Sequence, residues 1–150
     1  WLVLAAVMVT FIVVVMRYAF DFGRIWIQET YVWMHAFVFM IGAAWTLQEE
    51  GHVRVDIFYR KLPQKWRDRI NLLGVFFLLI PTCGFIFWIS LPYVITSWQL
   101  LEGSRETGGI PAIFILKTAI PLMALLLILQ GLSLAIHSWL NLRQKDSVHE

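Results

Sequence analysis

The sequence predicts an all-α integral membrane protein of four transmembrane helices, with an interfacial amphipathic linker between the second and the third. Three observations lead there. Hydrophobic residues make up 59% of the 150 and aromatic residues 15%, at a mean hydropathy of +0.71, more than one soluble domain of this size could hide in its own core. The charged residues, 15% of the chain, cluster between long uncharged runs, so the apolar content is organised into spans. All but the first of those runs reach the roughly 20 residues that cross a hydrocarbon layer of about 30 Å.

The elements follow in order. The first helix covers about residues 1–20, with Arg17 snorkelling to a surface where Tyr18 and Phe20 join an aromatic belt. Its apolar run, Trp1 to Met16, rises only about 24 Å, so a few residues are expected to precede it. Without a basic leader or a small-residue cleavage site it reads as a mature helix and not as a signal peptide. Asp21, Phe22, Gly23 and Arg24 reverse the chain. The second helix is expected over about 28–48, since Thr30 to Gln48 is a 19-residue stretch free of Asp, Glu, Lys and Arg.

The linker 49–67 is the one strongly polar region, and Val53, Ile57, Phe58, Leu62 and Trp66 recur in it mostly at helical spacing, as an interfacial segment requires. Pro63 suits the first turn of a helix that runs into the third span. Between Arg69 and Glu102 lie 32 uncharged residues, about 48 Å if wholly helical. That third helix, about 68–101, must tilt, kink or project, with Pro81 and Pro92 as the places for a kink. A polar Gly-rich reversal, Glu102 to Gly109, leads to a fourth helix over about 112–140, with Lys117 near its start and Pro121 as a bend. The tail, 141–150, is hydrophilic. The whole forms a single transmembrane domain.

Basic residues orient it. Arg54, Arg60, Lys61, Lys65, Arg67 and Arg69 lie in or beside the linker and Arg143 and Lys145 in the tail, against Arg17, Arg24, Arg105 and Lys117 on the other side. The positive-inside rule then places both termini and the linker in the cytoplasm. The net charge of +2 is too small to argue for nucleic acid. The lone Cys83, inside an apolar run, excludes an internal disulfide.

Chemistry-bearing candidates are few. Glu29 and His35 stand toward the outer end of the second helix, where an ionisable group is a functional hypothesis because burial of its charge is costly; as structural groups they read as a helix-start carboxylate and a packing histidine. Glu29 as a proton-coupled carboxylate would suit a small four-helix exporter, which needs that carboxylate well inside its first span. Haem held between histidines of facing helices is the other alternative, but His35 near the outer end and His137 near the inner end stand roughly 20 Å apart in depth. There is no His-x-x-x-His pair, no Cys and His cluster, no Gly-x-Ser-x-Gly turn and no phosphate loop, so neither a metal nor a cofactor nor an enzymatic activity is expected. Gly42 with Thr46, and Gly131 with Ala135, are small residues four apart that let helices approach closely.

At the linker a pattern emerges: Gly51, His52, Val53, Arg54, Val55, Asp56, Ile57, then Tyr59, Leu62, Pro63 and Arg67. With Arg17 and Tyr18, Trp26 and Glu29, Glu102 and Ser104, and Gly108, Gly109, Pro111, Lys117, Pro121, Gln130 and Gly131, it resembles the small, DctQ-type membrane subunit of the tripartite ATP-independent periplasmic (TRAP) transporters over nearly the whole chain. The linker and the Gly-Gly-Ile-Pro segment look most like the subgroup associated with 2-oxoacids, mannitol or chloroaromatic acids. The resemblance implies a non-enzymatic scaffold subunit, in a bacterial or archaeal cytoplasmic membrane, of a sodium-driven transporter for organic acids. Its partners would be a large, elevator-type membrane subunit, a periplasmic substrate-binding protein and membrane lipids. Trp26, Glu29, Gly42, His52, Arg54, Asp56, Glu102, Lys117 and Gly131 are then the candidates for partner or lipid interfaces, and no substrate or ion site is expected in this chain.

Overall fold

The computed structural model describes residues 1–48 and 62–146, and all regular structure among them is helical. Four helices are long and apolar enough to cross a membrane, as expected where each backbone N–H must find its acceptor within the same segment.

Helix α1 runs over Leu2–Phe20 and closes with Asp21 in the left-handed region at φ 50°, a conformation that the short polar side chain of Asp tolerates. The Phe22 N–H reaches back to the Met16 carbonyl at 3.0 Å. Helix α2, Ile25–Gln48, begins three residues before the charge-free run suggested. The Arg24 carbonyl accepts from the Ile27 N–H, so the first turn takes in Trp26 and places Glu29 inside the helix.

The third span is built in three pieces. Pro63 stands just outside the helix with extended backbone at ψ 151°, and α3 starts at Gln64 and runs to Gly74. A π-helical turn, Val75–Leu79, follows, in which the Ile80 N–H reaches the Val75 carbonyl, and α4 covers Ile80–Gln99. The wide turn has a local cause, because Pro81 offers no N–H and its ring would press on the Phe77 carbonyl one regular turn earlier. The anticipated disturbance is thus a π turn on the N-terminal side of Pro81. Helix α5, Ile113–Asp146, runs past the expected end at residue 140 into the polar tail. The linker residues 49–61, with His52, Arg54 and Asp56, lie outside the described residues.

Packing forms an open row. Helix α1 rests on α2, α2 on α5, and α5 on both α3 and α4. Helix α5 is the hub: 28% of its apolar window is buried, against none of α1. What lets α5 approach α4, the π turn and α3 is a run of small side chains. The buried positions on α4 are Cys83, Ser90, Val94 and Ser97, and those on α5 include Ala124, Gly131, Ala135 and Ser138. Both sets follow the same 7-4-3 spacing, one stripe of a helix, and small residues on such stripes let backbones meet where lipid offers no hydrophobic drive for association. Gly131 marks the tightest approach: a Cβ there would stand 2.6 Å from Leu79 Cδ2 and 3.5 Å from Val75 Cγ1 of the π turn. The large side chains outside the stripes, among them Phe11, Phe39, Phe77, Trp88 and Leu129, are exposed, as side chains facing lipid or another membrane chain must be.

Candidate functional site

Polar residues of α2, α4 and α5 converge at one end, where the start of α2 meets the long reversal between α4 and α5. That reversal is shaped by its own backbone. Leu101 sits in the left-handed region at φ 45°, the Glu102 N–H reaches the Ser97 carbonyl at 3.0 Å and the Leu101 N–H the Trp98 carbonyl at 3.2 Å. This is the paired-bond ending that satisfies the last carbonyls of a helix, formed here without glycine. Further on, Ser104 N–H donates to the Ile110 carbonyl at 3.0 Å, and Gly108 takes φ 84° between them, where a side chain would be strained.

Two carboxylates hold the reversal. Glu29, one turn into α2, accepts the Ser104 hydroxyl on Oε1 and the Ile110 N–H on Oε2, the latter at 2.6 Å. These bonds join positions 75 and 81 residues apart and fasten the loop to a helix that neither of its own flanking helices contains. Gly109 makes room for them: a Cβ there would collide with the Ser104 side chain and lie 2.7 Å from Glu29 Oε1. Glu102 works on the other side. Its Oε2 accepts the Ser97 hydroxyl at 2.7 Å and an ion-paired hydrogen bond from Lys117 Nζ. Lys117, in the second turn of α5, also lies 4.0 Å from the centre of the Tyr93 ring, a cation–π contact. The Lys117 hydrogen bond, and after it that from Ser97, holds the Glu102 carboxyl below its ordinary value. Next to it Trp98 Nε1 donates to Thr118 Oγ1 at 2.9 Å while its ring meets Phe114 edge-on at 4.6 Å. The reversal is therefore a rigid cap, with Arg105, Glu106 and Thr107 as its exposed crest.

Of the residues singled out in the sequence, Glu29, Glu102 and Lys117 meet at this cap. Trp26 is exposed nearby on α2. Gly42 has nothing within 4 Å of a would-be Cβ, whereas Gly131 packs inside the chain against the π turn. Ser97, Tyr93 and the Trp98–Thr118 pair were not singled out. Tyr93 and Ser97 stand four apart on α4, and small Ser97 in a bulky helix was the available signal. His35 lies deeper than the sequence suggested, the eleventh residue of 24 in α2, because the helix starts early. No group of three or more His, Cys, Asp or Glu side chains converges among the described residues.

Chemically the cap can bind loops and present a polar crest. Glu29 accepts on both oxygens, from Ser104 and from Ile110, and Glu102 accepts on Oε2 from Ser97 and Lys117.

A protein from Vibrio cholerae serotype O1 named C4-dicarboxylate TRAP transporter small permease protein DctQ is 31% identical over 95 residues, 63% of this chain and 38% of that protein. The aligned stretch thus spans well under half of that relative. Residues 6–141 match the family described as tripartite ATP-independent periplasmic transporters, DctQ component, a stretch that covers most of all four spans, Glu29 and the whole cap. The chain belongs to the DctQ component family of the tripartite ATP-independent periplasmic transporters.

Proposed function

We propose that this chain is the static small subunit of a sodium-driven TRAP transporter for organic acids. It braces a large membrane subunit whose transport domain moves through the bilayer, and its capped end faces a periplasmic substrate-binding protein. The observation that carries this reading is the combination of an open row of helices with a cap whose carboxylates are already engaged. Between the polar clusters at their ends the four spans contain no carboxylate, lysine or arginine, and they have neither the broken half-helices nor the inverted repeat on which secondary transporters build ion sites. What they offer is exposed apolar surface along their whole length. Exposed aromatics such as Trp26 and Trp45 near the two ends of α2 resist vertical displacement. The basic residues of the linker and tail support cytoplasmic termini in an inner membrane.

Reconstitution tests it. Liposomes holding this chain alone should take up no organic acid under an inward sodium gradient, and addition of the large subunit and the substrate-binding protein should restore uptake. Sodium-dependent uptake by this chain alone would refute the scaffold role.

A further inference from the structure

His35 carries the next inference. It lies six residues from Glu29 at the cap and thirteen from the end of α2, about 9 and 20 Å along the axis. An imidazole is too short to reach water from there. It is exposed on its helix and opens into a groove of about 540 Å³ between α1 and α2, lined by Val3, Val7 and Phe11 on one side and by Tyr31 and Val38 on the other. Neutral imidazole carries one donor and one acceptor nitrogen. Among the described residues its ring contact is with Phe39, at 5.5 Å, and neither nitrogen has a hydrogen bond. The groove's one hydroxyl on α1, Thr10, donates to the Ala6 carbonyl of its own helix.

A polar group left unbonded in hydrocarbon is unfavourable, so the occupant of the groove must bring a partner at this depth. A lipid acyl chain has neither donor nor acceptor, and the polar level marked by Glu29 lies about 9 Å away along the helix, beyond the reach of an imidazole. A protein helix offers both kinds of group at any depth. Helix α1, which packs on α2 and contains no buried residue, forms the other wall of the groove.

We propose that the α1–α2 groove seats a transmembrane helix of the large membrane subunit, which supplies the hydrogen-bond partner of His35. This rests on the scaffold reading above. It assigns the interface to the edge of the row away from α4 and makes the exposed aromatics of the π turn and of α4 lipid-facing or secondary.

The test uses the two membrane subunits expressed together and purified in mild detergent. A benzophenone amino acid at Val7 or Val38 should join this chain to the large subunit on illumination. The His35→Leu variant should retain about three- to twentyfold less of the large subunit, the worth of one interhelical hydrogen bond in a membrane, while His35→Gln retains most of it. Adducts with lipid alone, or between two copies of this chain, would overturn the groove assignment while co-purification keeps the scaffold reading intact. Equal retention by the leucine variant would remove His35 from the interface. If the large subunit fails to co-purify with the unaltered chain, the scaffold reading itself falls.

Discussion

Replacement of Glu29 by alanine should loosen the cap without unfolding the spans. In the folded protein the carboxylate accepts from Ser104 Oγ and from the Ile110 N–H, and alanine leaves both donors without it. A hydrogen bond to a charged group contributes about 1.5–3 kcal/mol. Glu29 is half-buried, so water can replace part of what is lost, and the lower part of that range, about 1.5–2 kcal/mol, applies to the Ile110 amide. At 1.4 kcal/mol per decade that predicts roughly ten- to thirtyfold faster exchange of this amide and of Ser104 N–H, which is bonded to the Ile110 carbonyl. Amide hydrogen exchange of the segment 100–112 in nanodiscs, read by mass spectrometry, measures it. Glu29→Gln keeps an acceptor oxygen and should change exchange by only a few-fold. Exchange within twofold of the unaltered protein in Glu29→Ala would show that the cap is held by its own backbone turns and that the α2 pin is incidental.

Other outcomes follow from the same geometry. Gly131→Ala should be nearly neutral, because the gain in helix propensity of about 1 kcal/mol offsets a clash that the end of the Leu79 side chain can relieve; Gly131→Leu should destabilise the α5 contact by about 1–3 kcal/mol and be partly rescued by Leu79→Ala in thermal unfolding. Glu102 is held below its ordinary value of 4.5, first by Lys117; since the folded value lies below the unfolded one, its contribution is complete above that pH and is lost as pH falls through the folded value. Trp98 fluorescence should therefore be flat from pH 7 to about 5 and change below 4.5, and Glu102→Gln should abolish the transition. In a Cys83→Ala background, impermeant thiol labelling of intact cells should modify Gly23→Cys and Thr107→Cys and spare Arg60→Cys, and the reverse pattern would invert the orientation.

What the sequence determined by itself is what local composition controls. A helix in lipid must satisfy its own backbone, so the charge-free stretch 30–48, the 32-residue run before Glu102 and the turns rich in Gly, Asp and Glu mark spans and reversals without reference to any other part of the chain. Pro81 likewise announced a disturbance in its own helix, and the π turn lies within one turn of it. The partners of these pieces were decided only in three dimensions. The sequence around Glu29 holds nothing that points to Ser104 or Ile110, since a serine hydroxyl and a backbone N–H leave no periodic trace. Gly42 and Gly131 look equivalent as letters, yet one faces open space and the other the side chain of Leu79. Apolar residues run all round these helices because lipid and protein neighbours accept the same side chains, so hydropathy does not tell which face meets α5. The fainter mark was size: the small residues at 7-4-3 spacing on α4 and α5 show where two backbones can approach. Even that stripe acquires a meaning only when the opposite helix is in place to fill it.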